Sequence, residues 1–415
     1  MCSSDLGYTV EMAIPFKTLR FNRERQQVWG IHFYRRMRGR NESTYWSMPP
    51  RRYSLTRALA YAGELHGVED VQPGHALQIK PYAIAGVEKL ATRDEETKGD
   101  FDGGMDVKYG LTPGMVLDLT ANTDFSHVEA DTQQVNLTRF PLFFPEKREF
   151  FLENAGIFQF GALNRNEALL FHSRTIGLEG GRPVPIMGGA RLSGQLGHTT
   201  LGVLNMQTRS DRNLPATNFS VARVRRNILG SSDIGGIFLS RQSSLPNDEN
   251  RAFGVDSNLV FFRTDLRIST LAARTSTPKL KGGDWIRKLE GEYQNNVVRF
   301  FSSYLDVGPN FNPRMGFVLR RGRRIASNDF EWRIRQNADS TIGKWIRDIL
   351  PSVETEYVRL SDGRTESKHF SLPFSVEFQD GSIFSVRHTR EFRSEEHTSE
   401  LQSLAYLVCR LLLEK

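Results

Sequence analysis

Cysteine is nearly absent: the 415 residues contain two, Cys2 and Cys409, one close to each end. The body of the chain therefore has no disulfide framework, no thiolate zinc site and no thiol nucleophile. Such avoidance of cysteine fits an oxidising compartment such as the periplasm. Long apolar runs are missing too, and nothing approaches the roughly 20 consecutive apolar residues of a transmembrane helix, so helical membrane proteins are excluded and strand-built ones are not. The usual catalytic strings are absent as well: there is no HExxH, no GxSxG elbow and no Walker loop, and histidines such as His127, His172 and His198 lack zinc spacing.

The two ends lack any likeness to the rest. MCSSDL and RSEEHTSELQSLAYLVCRLLLEK read as translated sequencing adapter. Written back into codons, Arg393 to Ser403 and Leu407 to Lys415 match the two parts of a common library adapter around a barcode at Leu404 to Tyr406, and Met1 to Leu6 match its reverse complement. Residues 1–6 and 393–415 are thus expected to be non-native and are set aside. Both cysteines go with them, and the formal charge moves from +7 to +9 because three basic and five acidic residues are removed.

What remains is alternation. Met115, Leu117, Leu119 and Ala121 alternate with polar neighbours. So do Phe253, Val255, Leu259 and Phe261, then Leu266 and Ile268, then Phe330, Trp332 and Ile334, then Phe370 to Phe378. A period of two gives each strand one apolar and one polar side. Counting weaker candidates, about 15 strands have the roughly 9 to 11 residues that cross a bilayer when tilted. Tight turns such as Arg263-Thr264 alternate with longer loops such as Gln242 to Ala252. The polar sides carry full charges (Asp118, Asp256, Arg267, Glu290, Glu331) and the apolar sides end in aromatics, as expected of a wet lumen inside a lipid-facing wall. Soluble all-β folds also alternate, but they do not call for charge on one side and aromatic ends on the other.

The expected organisation is all-β: an antiparallel transmembrane-type β-barrel, truncated, preceded by the last strands of a β-sandwich. Residues 7–67 form the sandwich part, with strand-like GYTVEMAIPF and VWGIHFYRR. Residues 68–75 are a linker and 76–392 the barrel. Residues 124–156 form an insert, DFSHVEADTQQVNLTRFPLFFPEKREFFLENAG, acidic and aromatic at once. PEKREFFLENAG fits a short helix, with Pro145 in its first turn, Glu146 and Glu149 near the positive end and Gly156 as a stop. Phe150, Phe151 and Leu152 must then be buried, and a place in the barrel mouth or lumen provides for that.

That insert, followed by HSRTIGL, VPIMGGARLSG, GVLNMQT and NPRMGF, resembles a bacterial barrel family known as domain of unknown function 5916, over about His75 to Phe392. His127 and Thr175 depart from its pattern. GYTVEMAIPFKTLRF, WGIHFYRR and YWSMPP resemble the last third of a family 9 carbohydrate-binding-like domain, which accompanies that barrel. The resemblance implies a Gram-negative outer-membrane barrel with a periplasmic sugar-binding-like domain, and it brings no established activity. The function expected is binding or passage of a carbohydrate-containing substrate. A glycan hydrolase acting on O-glycosyl bonds, or a structural envelope protein without transport, are the alternatives.

Sugar binding needs an exposed aromatic to stack on a pyranose, and Tyr45 and Trp46 in STYWSMPP are the candidates, with Trp29 assigned to the core. In the insert, Asp124, Glu129, Asp131, Glu146, Glu149 and Glu153 are expected chiefly to pair with Arg139, Lys147, Arg148 or lumenal arginines. No cofactor is expected. A calcium site of Asp124, Glu129 and Asp131 is the weaker alternative, since its oxygen ligands suit a hard cation without EF-hand spacing. A glycosidase carboxylate pair is weaker still. The clusters Arg35-Arg36, Arg223-Arg225-Arg226 and Arg320 to Arg324 can meet lipopolysaccharide phosphates, with solvated strand ends as the simpler role. Outer-membrane lipid and lipopolysaccharide are the expected partners. Nucleic acid is not, because the basic residues are dispersed among strands.

Overall fold

The structure, a computed structural model, describes residues 9–16, 19, 21, 24–40, 42–48, 61–71, 77–89, 97–122, 140–179, 182–210, 214–262 and 265–394. It divides into two compact units, Met1–Lys80 with Val107–Asp118 and Pro81–Asp106 with Leu119–Lys415.

Up to Val71 the first unit carries four short strands: β1 (Gln26–Ile31), β2 (Tyr34–Met37), β3 (Glu42–Tyr45) and β4 (Gly63–Glu69). β1 pairs antiparallel with β4, and β2 with β3, as two separate two-stranded sheets. VWGIHF falls across β1 and the two residues that follow it. Residues 9–15 of the expected strand GYTVEMAIPF form no strand.

The strands that follow are β5 (Leu77–Lys89), β6 (Thr97–Thr112), β7 (Met115–Ala121), β8 (Ala168–Leu169), β9 (Leu178–Glu179), β10 (Arg182–Pro183), β11 (Ile186–Leu196) and β12 (Thr199–Thr208). After these come β13 (Thr217–Ile228), β14 (Ser232–Ser243), β15 (Glu249–Phe261), β16 (Leu266–Ser276), β17 (Trp285–Gln294) and β18 (Val298–Val307). The last are β19 (Phe317–Val318), β20 (Arg323–Trp332), β21 (Ile334–Arg335), β22 (Ile346–Leu360), β23 (Thr365–Phe378) and β24 (Ile383–Arg393). A single large sheet runs β5-β6-β7-β11-β12 and onward in chain order to β24, leaving out β19 and carrying β21 as a side partner of β22. From β11 to β24 neighbouring strands of it pair antiparallel. Its terminal strands, β5 and β24, do not pair with each other among the described residues.

All five alternating segments lie in strands of this sheet: β7, β15, β16, β20 with β21, and β23. The loop expected at Gln242 to Ala252 shrinks to 244–248, because both strands extend through polar residues whose backbone pairs Gln242 with Glu249 and Arg241 with Asn250. The turn expected at Arg263-Thr264 lies outside the described residues.

The sheet's two faces differ. One carries Val203, Val224, Phe238, Phe253, Val255, Leu289, Phe300, Phe330 and Phe374, all exposed. The other, the inner face, carries Leu204, Met206, Phe219, Val221, Ile237, Leu239, Leu271 and Leu305, all buried, together with buried charges. What buries them is the segment between β7 and β11. Its Phe151, Phe158, Phe160, Leu170 and Ile176 join the inner-face residues in one hydrophobic cluster reaching from β12 to β18.

Candidate functional site

Residues 157–179 continue the expected insert 124–156 in one packed segment and are taken with it; its described part, from Phe140 onward, is held by buried cations. PEKREFFLENAG forms less helix than expected: one turn at Glu149–Leu152, after which Asn154 turns left-handed at φ 56° and a 3-10 turn spans Ala155–Phe158. The left-handed residue ends the helix before Gly156 is reached. Phe151 is buried and Phe150 partly so, but Leu152 is half exposed, contrary to the expectation that all three are covered.

Arg148 is the insert's internal clamp. Its Nε and Nη2 donate to the two carboxylate oxygens of Glu146 at 2.7 Å each. Nη1 and Nη2 also donate to the carbonyls of Ile176 and Ser173, both at 2.7 Å. The guanidinium lies 4.2 Å from the Phe151 ring centroid, and its side chain is only 6% exposed. Glu146 accepts a further bond from Ser173 Oγ at 2.7 Å. Burial would push its carboxyl up, but the bonds and charge of Arg148, with Ser173, outweigh that and hold it below its ordinary value. Arg148 and Glu146 thus tie residues 146–151 to 173–176. His172 sits beside them with its ring stacked on Phe143 and Nε2 3.0 Å from the Phe144 carbonyl. Burial lowers its pKa below the usual histidine value.

The sheet reaches inward with four more cations. Arg191 of β11 donates to the carbonyls of Phe150 and Glu153, lies 4.0 Å from the Glu153 carboxylate and stacks over the Phe150 ring. Arg223 of β13 makes a two-pronged pair with Asp256 of β15 at 2.6 and 2.8 Å, and Asp256 accepts the Gly161 N–H of the insert at 2.8 Å. Lys288 of β17 donates to the Ala162 carbonyl at 2.7 Å and pairs with Glu167 and Glu290. Arg323 of β20 donates to the Asn166 carbonyl at 3.3 Å. β8, inside the insert, pairs with β19, so the insert is anchored in the 308–322 loop as well. Small residues make its seat: a Cβ on Gly254 would come within 2.5 Å of the Phe160 ring, and one on Gly202 within 2.7 Å of Ile157 and 2.9 Å of Phe158.

The expected site residues are distributed as follows. Glu146 and Arg148 are brought together, and Glu153 is brought to Arg191. Glu149 is the acidic residue of the short helix's first turn, and the backbone N–H of Lys147 donates to Glu146. Asp124, Glu129, Asp131 and Arg139 lie outside the described residues, and with them the weaker alternative of a calcium site at Asp124, Glu129 and Asp131. Among the described residues no cluster of three or more His, Cys, Asp or Glu has metal-binding geometry. Arg223, read as part of a solvated cluster, is instead 1% exposed and paired, whereas Arg35 and Arg36 are exposed in β2. Sequence reasoning did not find Arg191 or Lys288, for which the only signal was a charge on the polar side of a strand.

In the first unit Trp46 is 71% exposed and meets Phe33 edge-on at 6.1 Å. Tyr45 is half buried, stacked on His32 at 5.7 Å and tilted against Tyr34. Trp29 is half buried against Phe16 and Phe21.

Residues 73–185 match the profile of a family described as Domain of unknown function (DUF5916). No curated protein matches. Among solved structures the chain is similar to Pseudomonas aeruginosa OccK11 (OpdR), at 11% identity and a TM-score of 0.31, over 79% of this chain and 83% of that one. It is similar also to Pseudomonas aeruginosa OpdL, at 9% identity and a TM-score of 0.31, over 77% and 84%. At such scores the likenesses carry no functional argument, which has to come from the side chains.

Proposed function

We propose that the large sheet is the wall of an outer-membrane β-barrel and that a substrate is bound in, or passed through, its lumen, with the insert as the constriction. One observation carries this reading: large apolar side chains face outward exposed, Val255 at 63% and Phe253 and Leu289 at 55%, while Arg223, Asp256 and Lys288 face inward and are buried. A sheet folded for water does the reverse, because exposed apolar area costs about 25 cal/mol per Å² and buried charge costs more. Hydrocarbon outside and a polar lumen inside make both faces favourable. No helix among the described residues is long and apolar enough to cross a membrane, so strands are what would cross.

The substrate proposed is carbohydrate-containing, taken first by the N-terminal unit in the periplasm, where the exposed Trp46 supplies a stacking face. Lipid and lipopolysaccharide surround the wall. Purified protein added to planar lipid bilayers should give discrete conductance steps, and deletion of 145–176 should enlarge them. Absence of conductance from both proteins would end the passage reading. Trp46→Ala should weaken oligosaccharide binding about tenfold, corresponding to the ~1.4 kcal/mol expected for one aromatic face, and unchanged binding removes Trp46 from the site.

A further inference from the structure

The loop into β20 carries four arginines in five positions, Arg320, Arg321, Arg323 and Arg324, around Gly322. Two have acids: Arg320 pairs with Glu366, and Arg324 lies 3.6 Å from Asp306. Neither of the other two makes an ion pair among the described residues, although Glu167 and Glu356 act on Arg323 through space. Arg321 donates to a neutral amide, Asn312 Oδ1, at 2.7 Å. Arg323, 7% exposed, donates to one backbone carbonyl, and its shielded Nε finds no acceptor. Partial desolvation holds the Arg321 guanidinium below its ordinary value, with no acid acting in the opposite direction. Beside Arg321 opens a cavity of about 310 Å³, with Arg320, Arg321 and Arg364 on its polar wall, Glu366 there too and paired to Arg320, and Phe140, Leu319 and Leu360 on its apolar one.

We propose that this cavity binds a phosphate-type oxyanion at Arg321. A guanidinium presents planar paired donors that match the oxygens of such an anion two at a time. Arg321 is itself exposed, so an anion reaches it without opening the fold. The volume lies at the lower end of the range of small-ligand pockets. The site is independent of whether the barrel conducts.

A free phosphate and a lipid headgroup offer the same chemistry, and two arms separate them. In the first, detergent-solubilised full chain is titrated with inorganic phosphate by calorimetry, against chloride at equal ionic strength. In the second, the chain is reconstituted in phosphatidylglycerol or phosphatidylcholine vesicles and the phosphate titration is repeated. Saturable phosphate binding is expected, weakened at least tenfold by Arg321→Gln and less by Arg321→Lys, and unchanged by Arg251→Gln at an exposed pair elsewhere. Loss of that binding in phosphatidylglycerol alone assigns the site to a headgroup, and binding equal in both vesicles assigns it to free phosphate. No saturable binding, or wild-type binding by Arg321→Gln with its fold verified by heat-modifiability on gels, overturns the proposal.

Discussion

Replacing Arg148 with alanine should free the insert while leaving the sheet intact. The guanidinium makes two bonds to carbonyls and two to Glu146, and it is nearly inaccessible to water. Its loss strands a carboxylate that is itself 9% exposed, keeping only Ser173 and two backbone N–H groups as donors. Breaking a buried pair from one side costs about 3–5 kcal/mol. At 1.4 kcal/mol per decade, the opening equilibrium of residues 146–176 rises about 10²- to 10³-fold or more. Hydrogen exchange read peptide by peptide is the assay: amides of 149–158 and 168–176 should exchange faster by that factor, with those of β13 to β16 unchanged. The strands have their own ladders, so insert and wall should open as separate units. If sheet and insert accelerate together, or neither does, Arg148 is not the clamp described here. Arg148→Ala should also raise conductance towards that of the deletion.

Acid should loosen the same contact in two windows. His172 has a lowered pKa in the fold, so its contribution is full above the ordinary value of 6.5 and declines as pH falls below it; His172→Gln should remove this step from insert exchange. Glu146 also has a lowered pKa, so its contribution is full above 4.5 and is lost as pH falls through the folded value; Glu146→Gln should abolish that lower step. Gly254→Leu should drive the Phe160 ring from its seat, destabilising the insert by about 1–3 kcal/mol or more, as read by exchange of 157–163. Val255→Arg, on the exposed face, should cost about 2–4 kcal/mol on folding into lipid vesicles and little in detergent. Equal folding of the wild type and Val255→Arg in lipid would mean that this face does not meet hydrocarbon.

The wall was readable because a period of two is a local property: Phe253 to Phe261 announce β15 without reference to any other strand. The insert was readable because it breaks that period with Pro145 and clustered aromatics. Its partners were not. Arg191, Arg223 and Lys288 each occupy a polar position that looks the same whether it faces water or a plug, and only the register of strands far apart in sequence brings Arg191 to Phe150, Arg223 to the Asp256 that holds Gly161, and Lys288 to Ala162. Glu146 and Arg148 lie two apart, a spacing that would separate them on the expected helix. Extended backbone, with Arg148 at φ −75° and ψ 123°, lets the pair close.

The pairing of β8 with β19 joins Ala168 to Val318 and Leu169 to Phe317. Synthesis delivers the insert long before the strand that latches it, and β11 to β18 must be laid down in between. Loop-closure entropy rises only logarithmically with length, so the delay is set by assembly of those strands more than by the search itself. Until then Phe150, Phe151, Phe158, Phe160 and Phe171 have no wall to lie against, and the nascent chain carries its most adhesive segment uncovered. The insert is therefore the part of this molecule most in need of a chaperone's attention.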